Sequence, residues 1–427
     1  MAIEKSHTTA TAQVRAAVVH VNVKSSNIIQ DRYPEAKLEE AINLTAALGV
    51  KIVSSEIIHL PKVNAGTFLG KGKMDDIATL VEAKEVGVVI VNNTLSPTQQ
   101  RNLEVAWNAK VLDRPALILE IFADRAQTKA GKLQVEMAQI QYQQNRLVRA
   151  WTHLERQRGG IGKTGGPGER QLELDRRMLN DRLVRIKREL TQVEKERELQ
   201  RKSREKAGVP VVSLVGYTNA GKSTVFNALT GAREQGEKIA MEKDMLFATL
   251  DTLMRKITLP SGREVVISDT VGFVSDLPHQ LVEAFKATLE EVTYADLLLH
   301  VQDISNPELE PQRKDVEEVL KSIHADKNDL LNIGNKKDMA DEERMLPEMD
   351  MLISAVTGEG IAKLLAEIDE KLAGEEKVLD LQISAADGKK LAWLHQNGRI
   401  TKQELDEDMW NITVALSIEN ANRFQLL

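Results

Sequence analysis

The stretch Pro210–Gly231, PVVSLVGYTNAGKSTVFNALTG, decides the fold of the central part of this 427-residue chain. From Gly216 to Ser223 it matches the pattern G-x-x-x-x-G-K-[ST] at every fixed position. An apolar run, Val211 to Val215, precedes the match, and a helix-like segment, Ser223 to Leu229, follows it. This strand–loop–helix order is the context that a phosphate-binding loop requires. The sequence therefore predicts a nucleoside triphosphate site at this loop.

The residue types in the loop suit phosphate and Mg²⁺. Its glycines allow backbone N–H groups to turn inward around phosphate oxygens, Lys222 can reach the β- and γ-phosphates, and Ser223 can supply a hydroxyl to Mg²⁺. We therefore expect one contiguous segment to hold the phosphates: Gly216, Tyr217, Thr218, Asn219, Ala220, Gly221, Lys222, Ser223 and Thr224.

The composition indicates a multidomain protein of the reducing cytosol. A chain of 427 residues is too long for one typical domain. It contains no cysteine, which excludes disulfides and cysteine-ligated zinc. No run approaches the ~18 apolar residues of a membrane span, and the N-terminus has no apolar leader. We expect a soluble, cytoplasmic protein, and the net charge of -7 argues against general coating of nucleic acid.

A second nucleotide motif follows the loop by one predicted hairpin. Met254 to Leu259 and Val265 to Ile267 are typical of strands, and the second strand runs into Asp269-Thr-Val-Gly272. An aspartate at that position can hold Mg²⁺ through water, while the glycine N–H contacts a γ-phosphate. The pattern is common by itself, but its place one hairpin after the phosphate-binding loop makes it informative.

The base-recognition motif is Asn335-Lys336-Lys337-Asp338, which follows the apolar run Leu330 to Ile333. Open α/β sheets bind ligands at the carboxyl ends of their strands, where this motif would lie. A carboxylate there can accept two hydrogen bonds from guanine, whereas adenine has no such pair of donors. Ser354 and Ala355 end the next apolar run and could contact the guanine oxygen through their backbone. The order of these motifs predicts a GTP site.

The N-terminal region, residues 1–127, alternates apolar runs with helix-like segments between residues 14 and 113. This spacing predicts a small parallel α/β sheet. A Gly- and Lys-rich turn, Gly66 to Lys73, opens one of its helices. The turn could contact phosphate or RNA, but its spacing differs from that of a phosphate-binding loop, so an ordinary tight turn is the simpler interpretation.

Residues 128–207 change to a helical period with apolar residues at four–three spacing, which predicts two long antiparallel helices. The segment joining them, Arg156 to Arg170, holds six glycines and a proline. A simple hairpin needs only two to five loop residues, so we interpret this basic tip as a device for entering folded RNA. The predicted RNA contacts are Arg156, Arg158, Gly159, Gly160, Gly162, Lys163, Gly166, Gly168 and Arg170.

The predicted fold class is α/β. The small parallel sheet and the helical hairpin precede a phosphate-binding-loop GTPase domain at 208–373. Alternating apolar residues at 379–383 and 410–416, with a helix-like segment and a turn at Asn397-Gly398 between them, predict a small α+β unit at 374–427.

Taken together, these motifs resemble the HflX family of ribosome-associated GTPases, over nearly the whole chain. The most specific matches lie in the hairpin, outside the GTPase motifs. The matching segments are Lys132–Glu136, Gly159–Gly162, Gly166–Glu169, Gln171–Arg177, Asn219–Thr224, Phe247–Asp251 and Asp269–Phe273. The resemblance implies binding to the large ribosomal subunit, with the hairpin loop reaching its peptidyl transferase region. It also implies dissociation or rescue of stalled ribosomes under stress, with GTP, GDP and Mg²⁺ as ligands.

The resemblance also assigns a role to Thr249, which would close on Mg²⁺ and the γ-phosphate in the GTP state, with Phe247 in the same segment. The predicted catalytic residues are then Lys222, Thr249 and Gly272, and the predicted metal ligands are Ser223, Thr249 and Asp269. The chain departs from the family pattern in two places: Thr252 replaces a usual proline, and Gly334 replaces a usual apolar residue.

Position 273 bears on the rate of hydrolysis. Many small GTPases place a glutamine directly after Asp-x-x-Gly to orient the attacking water, whereas this chain has Phe273. We therefore expect the isolated protein to hydrolyse GTP slowly and a ribosomal subunit to accelerate the reaction. We expect the protein to be a monomer. Two alternatives stay open: a GTPase that times assembly of the large subunit, and an additional ATP-dependent RNA-remodelling activity of the N-terminal domain, motivated by the Gly66 turn.

Overall fold

The computed structural model describes residues 13–23, 32–157, 167–206, 208–231, 247, 252–275, 286–341, 347–373, 376–406, 408–417, 421 and 423–424. Within these ranges only the backbone is described at 147–157, 167–172, 205, 286–288, 290, 376, 396 and 417. None of the described helices is both long enough and apolar enough to cross a membrane.

The N-terminal region folds into a four-stranded, fully parallel sheet of order β2-β1-β3-β4. Its central strand β3 has the sequence VVIV and is buried throughout, as expected of a parallel strand covered on both faces. The predicted parallel sheet is therefore confirmed. Its elements are β1 (Arg15–Val23), α1 (Pro34–Ala46), β2 (Lys51–Leu60), α2 (Lys71–Ala83), β3 (Val88–Val91), α3 (Pro97–Trp107) and β4 (Lys110–Asp113).

Helix α4 (Arg114–Arg125) follows β4 without a loop and was not predicted from the sequence. Asp113 caps it by accepting a hydrogen bond from the Ala116 amide at 3.0 Å, and a proline occupies its first turn. Most of its residues are buried, among them Leu117, Ile118, Ile121 and Phe122. Its position brings Arg114 to the boundary with the central domain.

The predicted antiparallel hairpin is confirmed, and consists of α5 (Lys129–Gln157) and α6 (Pro167–Lys206). Apolar residues of both helices meet in one core, with Ile140 on α5 and Ile186 and Leu190 on α6 all buried. At 1.5 Å per residue, the 40-residue α6 is about 60 Å long.

The sequence placed the loop between these helices at Arg156–Arg170, and these limits were too wide. Arg156 belongs to α5, and Gly168 and Arg170 belong to α6, which begins at Pro167. A proline fits the first position of a helix, because its fixed φ is already helical and its missing N–H has no partner there. The predicted RNA contacts between 158 and 166 lie outside the described residues.

The central domain contains a six-stranded sheet of order β10-β9-β8-β5-β7-β6, parallel except for the edge strand β6. The phosphate-binding loop connects the central strand β5 to α7. The bounds are β5 (Val211–Val215), α7 (Lys222–Leu229), β6 (Leu253–Thr258), β7 (Glu264–Asp269), α8 (Lys286–Thr293), β8 (Leu297–Asp303), α9 (Leu309–Ser322), β9 (Leu330–Asn335), β10 (Met351–Leu352) and α10 (Ile361–Ala373).

The C-terminal unit is a three-stranded antiparallel sheet, β11-β13-β12, with a helix between its first two strands along the chain. Strand β12 was missed from the sequence, because it is a polar edge strand with few buried residues. The turn predicted at Asn397-Gly398 is the junction between the helix and this strand. The bounds are β11 (Glu376–Ser384), α11 (Gly388–Asn397), β12 (Arg399–Asp406) and β13 (Met409–Ser417).

Candidate nucleotide site

The loop between β5 and α7 passes so close to its neighbours that side chains would not fit at two glycines. A Cβ at Gly216 would lie 2.2 Å from the carbonyl oxygen of Val301, and one at Gly221 would lie 2.3 Å from Nδ2 of Asn335. Gly221 also has a φ of +91°, in the left-handed region that favours glycine. The fixed glycines of the motif are therefore required, Gly216 by a neighbouring backbone and Gly221 by a neighbouring side chain and its own φ.

Lys222 is the first residue of α7, and its side chain is folded back over the loop. Its ammonium group donates hydrogen bonds to the carbonyl oxygens of Gly216 at 3.1 Å and Tyr217 at 2.8 Å. Burial lowers the pKa of Lys222 to about 8, and the nearby carboxylate of Asp269 opposes that shift. The loop thus encloses a cation whose charge is costly without an anionic partner.

Ser223 and Asp269 form the oxygen-rich part of the site. The Ser223 hydroxyl donates to Oδ2 of Asp269 at 2.7 Å, and Asp269 is fully buried at the end of β7. A hydroxyl beside a carboxylate is the hard-oxygen donor set that Mg²⁺ prefers. The residues present therefore fit this metal, while Thr249, the third predicted ligand, lies outside the described residues.

Gly272 lies against the phosphate-binding loop. A Cβ on it would be 2.9 Å from Cγ2 of Thr218 and 3.1 Å from the Lys222 nitrogen. Two backbone hydrogen bonds hold the next residue to the loop: Phe273 N–H donates to the Gly216 carbonyl at 3.1 Å, and Thr218 N–H donates to the Phe273 carbonyl at 2.7 Å. The Asp269–Gly272 segment and the loop are thus one tightly packed unit.

The base-recognition residues meet at the same edge of the sheet. Asn335 is buried at the end of β9, donates to the Ala220 carbonyl at 2.9 Å, and accepts from the Ala355 amide at 3.1 Å. It therefore links the phosphate-binding loop to the Ser354–Ala355 turn. Asp338 is exposed and accepts from the Ser354 hydroxyl at 2.5 Å. Lys336 forms an ion pair with Asp303 at 2.7 Å.

The unusual Gly334 is explained by its neighbours. A Cβ there would lie 2.6 Å from Cδ2 of Leu352 and 2.8 Å from Cγ2 of Ile304. These two larger side chains occupy the space that an apolar residue at position 334 would fill.

The side chains of Tyr217 and Phe273 point towards the N-terminal region. Phe273 is 2% exposed and packs in the core that also contains Tyr217. The Tyr217 hydroxyl donates to Glu40 of α1 and accepts from Arg32 at 3.0 Å and from the Ser275 amide at 2.8 Å. Sequence reasoning missed Glu40 and Arg32, because their partners are far away along the chain.

The structure shows fewer contacts for the remaining predicted positions. Asn219 is exposed with a φ of +62°, Thr224 is half-buried, and Phe247 packs edge-on against Phe122 of α4 at 4.6 Å between ring centroids. In the turn that opens α2, the Asn64 side chain accepts hydrogen bonds from the amides of Gly66 and Thr67. Those amides are therefore used within the turn, which favours the ordinary tight-turn interpretation.

Four family models together match most of the chain. Their descriptions are "GTP-binding GTPase N-terminal" at 35–123, "GTP-binding GTPase Middle Region" at 125–204, "50S ribosome-binding GTPase" at 211–336 and "HflX C-terminal domain" at 342–426.

Curated relatives align with nearly the full length. GTPase HflX of Magnetococcus marinus is 44% identical over 91% of this chain and 90% of its own length. GTPase HflX of Escherichia coli K12 is 43% identical over 92% of this chain and 91% of its own. Among solved structures, a GTP-binding protein of Sulfolobus solfataricus in complex with GDP is 23% identical, with a TM-score of 0.44, and covers 84% of this chain and 98% of its own. The curated relatives place this chain in the HflX family of GTPases, enzymes that bind and hydrolyse GTP.

Proposed function

We propose that this GTPase acts on the large ribosomal subunit and separates stalled or idle ribosomes into subunits. The observation that carries the proposal is the attachment of a long basic helical hairpin to a guanine-nucleotide site in one chain. The description of the matched central family, a 50S ribosome-binding GTPase, supports the choice of partner. We further propose four functional units, 1–127, 128–207, 208–373 and 374–427, and a cytoplasmic monomer.

In this proposal the loop from Gly216 to Thr224 holds the phosphates, and Asp338 accepts two hydrogen bonds from guanine. Lys222 turns from the two carbonyl oxygens that it now contacts to the β- and γ-phosphates. Gly272 donates its N–H to the γ-phosphate, which is possible because this glycine already lies against the loop. Ser354 and Ala355 complete the base pocket.

The bound Mg²⁺ supplies charge neutralisation at the β- and γ-phosphates. Ser223 and Thr249 would hold it directly, and Asp269 through water. The Ser223–Asp269 hydrogen bond of 2.7 Å keeps both oxygens at one place before the metal binds. These residues orient the metal and the triphosphate, and the protein's other contribution is to position water for attack on the γ-phosphate.

Nucleotide binding should be accompanied by proton uptake at alkaline pH. The pKa of Lys222 is lowered to about 8 by burial, and the negative phosphates will raise it again. Above about pH 8 the free protein therefore holds a deprotonated Lys222 that takes up a proton on binding GTP. We expect uptake to rise from a small fraction at about pH 7 to nearly one proton at about pH 9.

Calorimetry in buffers of different ionisation enthalpy measures this uptake. GTP itself is fully ionised above about pH 8, because the second phosphate pKa is near 6, so the upper half of the titration reports on the protein. A proton count that does not change between about pH 7.5 and 9 would contradict the assignment of Lys222.

Phe273 supports dependence on the ribosome. Its ring is 2% exposed and cannot hydrogen-bond to water, so no group at this position orients the nucleophile. In our proposal the ribosomal subunit orders the missing part of the site. The basic tip, from Arg156 at the end of α5 to Arg170 at the start of α6, provides the contact with ribosomal RNA, through Arg156, Arg158, Lys163, Arg170 and the glycines between them.

The test is the GTPase rate with and without purified large subunits, together with light scattering of intact ribosomes. We expect stimulation on the order of a hundredfold and a GTP-dependent fall in scattering. Deletion of Gly159–Gly168 should remove both effects and leave the basal rate unchanged. Full splitting by the deletion variant would exclude the hairpin as the effector. Preferential sedimentation with immature subunits, without splitting, would replace our proposal by an assembly role.

A further inference from the structure

A buried polar cluster joins the nucleotide site to the N-terminal region. Its members are Glu40 of α1, Arg114 at the start of α4, and Tyr217 and Ser275 of the central domain. Arg114 donates to Glu40 at 2.9 Å and to both the carbonyl and the hydroxyl oxygens of Ser275, at 2.9 and 2.7 Å. The Ser275 hydroxyl donates in turn to Glu40 at 3.1 Å. One guanidinium thus holds the chain three residues beyond Gly272.

The negative charge of Glu40 in this cluster is neutralised by the neighbouring Arg114 and Arg32. Burial opposes ionisation of Glu40, but Arg114, the Tyr217 hydroxyl and Arg32 outweigh it, so the pKa of Glu40 lies below its usual value. Arg32 also pairs with Asp315 of α9 at 2.5 Å. Removing either Glu40 or Arg114 would leave a buried charge without its main partner. Movement of Ser275 must carry Arg114 along or break the hydrogen bonds between them.

The residue next to Arg114 holds the helical hairpin. The Asp113 carboxylate is fully buried and accepts from the Tyr142 hydroxyl of α5 at 2.6 Å and from Arg146 of α5 at 3.2 Å. It also caps α4 and accepts from the Leu95 amide at 3.3 Å. Two adjacent residues of the chain therefore bind opposite partners: Arg114 binds the nucleotide domain, and Asp113 binds the hairpin.

The base of the hairpin has a second attachment. Near the end of α6, Arg204 pairs with Glu291 at 3.4 Å, and Arg201 lies over the ring of Tyr294 at 3.7 Å from its centroid. Glu291 lies in α8 and Tyr294 directly follows this helix, so both partners belong to the central domain. With α5 held at Asp113 and α6 held at α8, a displacement of one attachment relative to the other rotates the hairpin about its base.

We infer that Asp113 and Arg114 are positioning residues that link the state of the nucleotide site to the orientation of the hairpin. When the Asp269–Gly272 segment moves towards a γ-phosphate, Ser275 moves with it, Arg114 follows, and Asp113 transmits the shift to Tyr142 and Arg146. This inference rests on the nucleotide-site assignment proposed above and does not require a ribosome. By linkage, a partner that holds the hairpin must also change the affinity for GTP relative to GDP.

The absence of cysteine from the sequence makes a direct test possible. Spin labels at Met178→Cys on α6 and Lys363→Cys on α10, both exposed positions, report the distance between hairpin and central domain. The full chain is measured with GDP and with a non-hydrolysable GTP analogue. We expect the distance distribution to shift between the two nucleotides. Arg114→Lys, which keeps the charge and loses donors, should reduce that shift by at least half.

Tyr142→Phe removes the hydroxyl that donates to Asp113 and so weakens the contact between Asp113 and the hairpin. This second variant provides the test if Arg114→Lys folds poorly. It should reduce the shift while affinity for each nucleotide stays within about threefold, a pattern that a general packing defect would not produce. Arg101→Lys, on the exposed face of α3, is the matched control and should leave the shift intact. Our inference is wrong if the distances do not depend on the nucleotide, or if both variants retain the full shift.

The same measurement separates this inference from the proposed function. It uses no ribosome, so a normal shift in a protein that fails to bind large subunits would leave the link standing and remove the proposed partner. Conversely, ribosome splitting by an Arg114→Lys protein whose hairpin no longer responds to nucleotide would support both the partner and the link, and would show that splitting does not depend on the link.

Discussion

Replacing Asp338 by asparagine should weaken GTP binding by about a hundredfold to ten-thousandfold and create a preference for xanthosine triphosphate. The carboxylate is exposed at the carboxyl edge of the sheet and accepts one hydrogen bond from Ser354, which leaves lone pairs for guanine N1–H and N2–H. Each charge-assisted bond contributes about 1.5–3 kcal/mol, and each 1.4 kcal/mol is a factor of about ten in affinity. Equilibrium titration with fluorescent analogues of both nucleotides measures the change.

Comparing xanthosine triphosphate with GTP distinguishes a change in base recognition from a folding defect. Xanthine carries an oxygen where guanine has its amino group, so the asparagine amide can donate to that oxygen while its carbonyl accepts from N1–H. A misfolded protein would lose both nucleotides, whereas a correctly identified Asp338 exchanges one for the other. Asp326→Asn, an exposed carboxylate before β9, is the matched control and should bind GTP as the unaltered chain does. Unchanged GTP affinity in Asp338→Asn would show that another residue selects the base.

The nucleotide motifs could be predicted from sequence because each is local and has fixed spacing. Positions 216 and 221 must be glycine because Val301 and Asn335 leave no room for a Cβ there. This requirement fixes two positions of a short motif, which can therefore be recognised in the sequence. The helical hairpin was predictable for a similar reason, since its apolar period is regular. Its loop limits were not, because a proline suits both a loop and the first turn of a helix.

The polar cluster around Arg114 could not be predicted, because its partners are distant along the chain. Arg114 is 74 residues from Glu40 and 161 residues from Ser275, and Glu40 is 235 residues from Ser275. No local pattern distinguishes these charged residues from exposed ones. Helix α4, which carries Arg114 and is mostly buried, was itself not predicted from the sequence. Tertiary structure therefore adds the connection between two sites that sequence analysis treated separately.

That connection also alters the interpretation of Phe273. From sequence it was only a position lacking a glutamine. In the structure its backbone is hydrogen-bonded to the phosphate-binding loop on both sides, and its ring lies in the core shared with Tyr217 and the N-terminal region. The residue therefore places a buried ring where other GTPases have a water-orienting group, which supports our proposal that activity depends on a partner.

Gly272→Ala should slow GTP hydrolysis by about a hundredfold to a thousandfold and leave GDP binding nearly unchanged. The added Cβ would meet Thr218 Cγ2 at 2.9 Å and Thr218 Cα and the Lys222 nitrogen at 3.1 Å. Because the Thr218 backbone and the Lys222 ammonium group lie on the other side, the segment must move away from the loop and so from the proposed γ-phosphate position. Loss of one well-placed donor costs about this factor in other enzymes. Single-turnover hydrolysis and GDP titration measure the two quantities separately.

The contrast between the two nucleotides is what identifies the role of Gly272. GDP has no γ-phosphate, so displacement of this N–H would leave in place the contacts with GDP that we propose for Lys222, Asn335 and Asp338. Gly388→Ala, at the start of α11 with no atom within 4 Å of the new Cβ, is the matched control and should hydrolyse GTP normally. If Gly272→Ala weakened GDP and GTP binding equally, the added methyl would be acting on the phosphate-binding loop as a whole. The glycine would then serve packing alone, and another group would have to contact the γ-phosphate.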